Sequence, residues 1–314
     1  MYIDLHCDTL WKFMEDKGQR NLLHNSFSVD IERLRKGNSL LQLFACFVPS
    51  AQIEDGYEYG MKMIAIMEDQ EKLWKNQFSI VTSMEEVWKN HGLDKQNGML
   101  TVEDGGMLCG RLERLDDLYK KRIRLMTLLW NDENCIGYPN STDPGIMNKG
   151  LKPFGFEVVQ RMNELGMIVD VSHLSDGGFW DVIKHSKEPV LASHSNSRNL
   201  CNHPRNLTDE MVKALANHGG IIGVNFYHRF IDDALEEGLL DRLTEHIVHM
   251  RNQGGIDLIA LGTDFDGITG PLEIPDCGQM ELLWMALRRK GFSEADIEKI
   301  QYKNAARFLN EVLK

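Results

Sequence analysis

The chain has 314 residues, enough for a large buried core and close in size to one α/β barrel or to two ordinary domains. Its 47 acidic residues against 35 basic ones give a formal charge of -12, which opposes attraction to nucleic acid or an anionic membrane surface, so neither is expected as a partner. The six cysteines, Cys7, Cys46, Cys109, Cys135, Cys201 and Cys277, form no CxxC pair and no dense framework, which makes reduced thiols and a cytoplasmic location the expectation.

Eight apolar runs with strand character follow one another at 2–7, 40–48, 99–103, 123–129, 167–172, 189–193, 220–226 and 258–262. They are short and continuous rather than alternating, as expected for strands of a parallel sheet buried on both faces. No stretch approaches the roughly 18 apolar residues of a membrane span, and no basic n-region with a long apolar core opens the chain, so no anchor or secretion signal is expected. Segments between the runs read as helices. Ser83 with Glu86 resembles a capping box, and Thr208 and Ser293 each precede acidic residues. Gly166 and Gly219 stand where helices should stop. Met61, Met63 and Met67, with Ile64 and Ile66, read as a packing stripe. Alternation without a linker or composition break predicts a single (β/α)8 barrel of the TIM type over residues 1–314, with a doubly wound open sheet as the alternative.

Acidic and histidine clusters stand where the apolar runs stop: Asp4-Leu5-His6-Cys7-Asp8, Val102-Glu103-Asp104-Gly105, Val171-Ser172-His173, Ala192-Ser193-His194 and Thr263-Asp264-Phe265-Asp266-Gly267. In a barrel the C-terminal strand ends carry the active site, so His6, Asp8, Glu103, His173, His194 and Asp264 can ring one cavity. His6 and Asp8 are two apart and point to one side of an extended strand, whereas Cys7 between them points to the other and is read as packing. Glu103 and Asp104 stand before Gly105-Gly106, a turn signal, so either acid also fits a turn. His24, His91, His185, His218, His228, His246 and His249 lack comparable context and are read as structural. Imidazole and carboxylate are the usual ligands of zinc and similar cations, and the set exceeds the needs of one tetrahedral ion with an open position. The residues alone therefore point to a binuclear metal site and to metal-assisted hydrolysis of an amide or ester.

Taken in order, Asp4-Leu5-His6-Cys7-Asp8, Glu103, Val171-Ser172-His173, Ser193-His194-Ser195 with Arg205-Asn206, and Asp264-Phe265-Asp266-Gly267 resemble the membrane (renal) dipeptidase family of zinc peptidases, across nearly the whole chain. The resemblance implies an amidohydrolase-type barrel, two Zn2+ ions per chain, and cleavage of dipeptides by a metal-bridging hydroxide. It implies that His6 and Asp8 bind one ion, that His173 and His194 bind the other, and that Glu103 bridges them. It further implies Asp264 as acid/base, Arg205 as the grip on the substrate's C-terminal carboxylate, a homodimer, and tolerance of a D-residue at the C-terminal position.

One position departs from the pattern. Mammalian members place a substrate-binding histidine where this chain has Trp130, and tryptophan cannot carry a proton. The Trp130-Asn131 pair is read as a feature of bacterial-type members, with Asn131 and Tyr227 as further candidates for lining the substrate pocket. The competing reading is a related amidohydrolase acting on N-acyl amino acids or β-lactams, which a free-amine requirement would discriminate. A barrel kept for binding alone is disfavoured because every ligand position is filled.

Overall fold

The computed structural model describes every residue except Lys17, Gln19 and Glu236. Its strands are β1 (Tyr2–Asp4), β2 (Ser39–Phe47), β3 (Phe78–Ile80), β4 (Gln96–Glu103), β5 (Ile123–Thr127), β6 (Ile168–Asp170), β7 (Leu191–Ala192), β8 (Ile221–Val224) and β9 (Ile259–Leu261). All pairings between them are parallel, and β9 returns to β1 through Asp4 and Leu261 while β2 pairs directly with β4. Eight strands thus close into a (β/α)8 barrel, and β3 stands outside the ring, paired only with the first residues of β4.

β3 was not among the expected strands. Phe78–Ile80 is three residues long and forms only because Gln96–Gly98 extends β4 below the expected start at 99. At the other ends the strands, β4 apart, stop one to three residues short of the apolar runs. The regular ladder of β1 stops at Asp4 and that of β7 at Ala192; beyond them pairing is sporadic, with Cys7 bridging Phe265 and Ser195 N–H donating to the Gly223 carbonyl.

Period-two alternation sorts the strand side chains into two cores. Phe44, Cys46, Leu100, Val102, Met126, Val169, Ile222 and Val224 pack in the cluster shared with the surrounding helices. Leu41, Leu43, Met99, Leu125, Ile168, Leu191, Ile221 and Ala260 pack in a second cluster inside the barrel, closed below by Ala305, Phe308, Leu309 and Val312 of the last helix, Asn304–Val312. Two residues further along, the inward positions become polar or small: Thr101, Thr127, Asp170, Ser193, Gly223 and Gly262. The glycines are required there, since a Cβ at Gly223 or Gly262 would lie 1.9 or 1.7 Å from the Ser193 carbonyl oxygen. The next inward layer carries Glu103, Asn225 and Asp264.

The expected helix signals are present with one change. Ser83, Thr208 and Ser293 cap their helices by accepting from Glu86, Met211 and Asp296 N–H, but Glu86 reaches back to Thr82 N–H rather than to Ser83. Gly166 ends the helix Pro153–Leu165 at φ 70°. Met63, Ile64 and Met67 are buried in the helix Gly56–Leu73. All six cysteines are unpaired, with Cys7 fully buried in the core. Among the described residues no helix is long and apolar enough to cross a membrane.

Candidate metal centre

The strand-end clusters divide into residues that face the cavity and residues that brace the turns. Asp4 is braced: its Oδ1 accepts from Thr263 N–H at 2.9 Å, and its Oδ2 accepts from Thr263 Oγ1–H at 2.7 Å and Gln42 Nε2–H at 2.8 Å. Asp104 holds Ser50, Gly106 and Asn134, and Asp266 holds Thr9 and Ser28. This leaves His6, Asp8, Glu103, His173, His194 and Asp264 facing one another. His173 and Asp264 do so from left-handed backbone, at φ 68° and 64°, a conformation that costs energy in residues other than glycine and gathers at functional sites.

His6 Nε2 stands 3.3 Å from Asp8 Oδ2, 3.3 Å from Glu103 Oε2 and 3.9 Å from Asp264 Oδ1. Glu103 turns its other oxygen, Oε1, to His173 Nε2 at 3.0 Å and His194 Nε2 at 3.7 Å. One carboxylate therefore serves two groups of ligand atoms. Within each of the sets His6/Asp8/Glu103, Glu103/His173/His194 and His6/His194/Asp264, the ligand atoms lie within 4.8 Å of one another.

The hydrogen bonds fix which ring nitrogens are free to bind. Ser193 Oγ–H donates to Asp170 Oδ2 at 2.5 Å, so its oxygen accepts from His194 Nδ1–H at 2.6 Å. His173 Nδ1–H donates to Asn131 Oδ1 at 3.0 Å. In the neutral rings both Nε2 atoms then carry lone pairs, and they face each other at 3.1 Å. Two lone pairs and a carboxylate oxygen at that separation fit a cation. His6 Nδ1 and Nε2 and Asp8 Oδ1 are buried without a hydrogen-bond partner among the described residues, which fits the same conclusion on the other side.

Charge agrees with geometry. Burial, then His6 and Arg205, hold the His194 ring well below its ordinary pKa, and burial and Arg205 lower His173. Burial opposes the charge of Glu103, but His6, His173 and His194 outweigh it and keep the carboxylate well below the usual range. Burial also opposes charge on His6, yet Glu103 and Asp8 raise it well above an ordinary imidazole. Burial and the Glu103 charge raise Asp8. His173 and His194 are thus neutral and Glu103 ionised, the protonation states that divalent metal ions bind, whereas His6 and Asp8 are pushed toward their protonated forms and would release protons on binding a cation.

Asp8, Glu103, His173 and Asp264 open into a cleft of about 450 Å3, walled by Trp11, Phe47, Trp130, Asn131, Tyr227 and Phe230 among others. Trp130 packs edge-on against Phe47 at 4.8 Å, and Phe47 against Trp11 at 5.8 Å. Arg205 is brought close but does not line this cleft. It is 4% exposed, donating to Ser195 Oγ at 2.9 Å and the His194 carbonyl at 2.9 Å, with the Phe230 ring 5.5 Å away. Burial lowers its pKa to about 10, so it remains a cation at neutral pH.

Two polar neighbours of the centre carry no mark in the sequence. Asn225, whose Nδ2–H donates to Asp264 Oδ2 at 2.8 Å, looked like part of an apolar strand. Asp170, which braces Ser193, was hidden in the run before His173 for the same reason. The period-two count from the inward-facing Ile168 and Ile221 would have placed Asp170 in the barrel lumen and, two steps further, Asn225.

Residues 1–314 match the model of the family described as membrane dipeptidase, peptidase family M19. A protein of Klebsiella pneumoniae, described as uncharacterized and lying in the pqqA 5' region, is 35% identical over 220 residues, covering 67% of this chain and 80% of its own. The structure of a metallo peptidase, dipeptidase AC of family M19, superposes with a TM-score of 0.92 at 24% identity, over 99% of this chain and 98% of that one. A metallo peptidase of Rhodobacter sphaeroides, solved with a phosphinate mimic of the dipeptide L-Ala-D-Ala, gives a TM-score of 0.90 at 23% identity, over 99% of each chain. At those identities the structural likenesses speak for the fold, and the full-length family match speaks for the lineage. The chain belongs to the membrane dipeptidase family, peptidase family M19, and is a dipeptidase of that metallopeptidase family.

Proposed function

We propose that the chain cleaves dipeptides at a binuclear zinc centre in which His6 and Asp8 hold one ion, His173 and His194 hold the other, and Glu103 spans both. The observation that carries this reading is the division of Glu103, with Oε2 on the His6 side and Oε1 on the His173 and His194 side. Two zinc ions held there would acidify water for attack and polarise the scissile carbonyl.

The other roles fall to the chain itself. Asp264, on the cleft side of His6, takes a proton from the attacking water and delivers it to the departing amine. Arg205 draws the substrate's C-terminal carboxylate by its buried charge. Trp130, Phe47 and Trp11 on one wall, with Tyr227 on another, exclude water and pack against the substrate. Acceptance of a D-residue at the C-terminal position is supported by the L-Ala-D-Ala mimic held by the Rhodobacter protein.

The test is kinetic and analytical. Asp264→Asn should keep its zinc but lose turnover by roughly a thousandfold, whereas Glu103→Ala should lose both. N-acetylation of the substrate should abolish cleavage; equal rates on free and acetylated dipeptides would favour an N-acyl amino acid hydrolase instead.

A further inference from the structure

We infer that Asn225 is the positioning residue that aims the Asp264 carboxylate at the metal centre, an inference that rests on the acid/base role proposed for Asp264. Asn225 follows β8 and Asp264 follows β9, and the Asn225 side chain is fully buried. Its Nδ2–H donates to Asp264 Oδ2 at 2.8 Å, which ties that oxygen and leaves Oδ1 as the one 3.9 Å from His6 Nε2.

The amide cannot turn over. Its Oδ1 accepts from Tyr227 N–H at 2.6 Å, and a flipped amide would set oxygen against carboxylate and NH2 against N–H. The backbone is clamped as well. Asn196 Nδ2–H donates to the Asn225 carbonyl at 2.9 Å, and Asn196 Oδ1 accepts from Asn225 N–H at 3.0 Å. Asn196 is itself fully buried.

A neutral donor suits the task. An acid/base carboxylate must present one fixed oxygen within hydrogen-bonding reach of the reacting atoms, and a cation at the same place would weaken it as a base. Asn225 occupies Oδ2 without cancelling the charge, so a proton accepted by Asp264 resides on Oδ1, facing the cleft. The bond to Tyr227 N–H ties the same amide to the cleft wall, so the acid/base group and the substrate wall share one anchor.

The experiment compares zinc-loaded Asn225→Ala and Asn225→Asp, each made in the natural sequence and in Asp264→Asn, using kcat and KM on dialanine, zinc content and the thermal midpoint. Asn225→Ala should lower kcat by about 10- to 100-fold with KM within about twofold and zinc content unchanged. Asn225→Asp should be worse, although it is isosteric and keeps the acceptor for Tyr227 N–H, because two carboxylate oxygens would meet where a donor met an acceptor. In the Asp264→Asn background Asn225→Ala should cost no more than about twofold. A purely structural role predicts the opposite order, with Asn225→Asp the milder change, and undiminished loss in the Asp264→Asn background; either result overturns the inference. Full activity of Asp264→Asn alone would overturn the acid/base assignment beneath it, which separates the two failures.

Discussion

His173 and His194 face each other through their Nε2 atoms at 3.1 Å, while the Nδ1 hydrogen of each is committed elsewhere, to Asn131 and to Ser193. Such a pair is held apart from its best partner until a cation joins it. Zinc binding should therefore stabilise the fold. Chelation should lower the thermal midpoint by roughly 5 °C or more, with recovery on adding zinc. A midpoint indifferent to chelator would mean that these atoms bind no ion.

Asp170, Ser193 and His194 form a chain in which the buried carboxylate orients the hydroxyl and the hydroxyl orients the ring. Thr127 Oγ1–H and the Ser172 and Ser193 N–H groups complete the hold on Asp170. Ser193→Ala should weaken zinc affinity about 10- to 100-fold in competition with a chelator, the usual size of such orienting contacts. Unchanged affinity would show that the ring needs no such guide.

The barrel and the clustered candidate ligands are legible in the sequence because both rest on local signals. Apolar runs mark strands, and His6, His173 and His194 break those runs at their ends. Asp170 and Asn225 were illegible for the complementary reason: each is a lone polar residue inside an apolar stretch, and its meaning depends on which face of the closed sheet is inward. Among the acids, Asp4, Asp104 and Asp266 could not be told from ligands by spacing. Their separation comes from partners distant in the chain, such as Thr263 and Gln42 for Asp4. The short strand β3 was invisible because its pairing with Gln96–Gly98 supplies what its own three residues lack.

Trp130 and Asn131 are adjacent in sequence but do different work. Trp130 packs in the aromatic wall, whereas Asn131, expected only as pocket lining, accepts from the His173 ring. Trp130→Ala should raise KM about three- to tenfold and leave zinc content alone. Asn131→Ala should instead weaken zinc binding about tenfold or more. The reverse pattern would exchange their roles.

His246 lies fully buried away from the centre, accepting from Ser197 N–H at Nδ1 and donating to the Ile231 carbonyl from Nε2. Burial holds its pKa down to about 4. An unfolded histidine titrates near 6.5, so the unfolded chain binds this proton first as pH falls. The neutral ring's stabilising contribution, roughly 3 kcal/mol, is complete above about pH 6.5 and is lost as pH falls toward 4. The His246 ring resonance in the folded protein should stay in its neutral position until near pH 4. A midpoint close to 6.5 would contradict the buried, hydrogen-bonded state.

Glu103 joins the two ligand clusters, which in the proposed function form one hydrolytic metal centre. The most direct test is elemental analysis of protein purified without chelator, paired with hydrolysis of a dipeptide panel before and after metal removal. The expected result is roughly two zinc ions per chain and cleavage that disappears with the metal and returns with it. Dipeptide cleavage unaffected by metal removal, or no metal bound even after reconstitution, would contradict it.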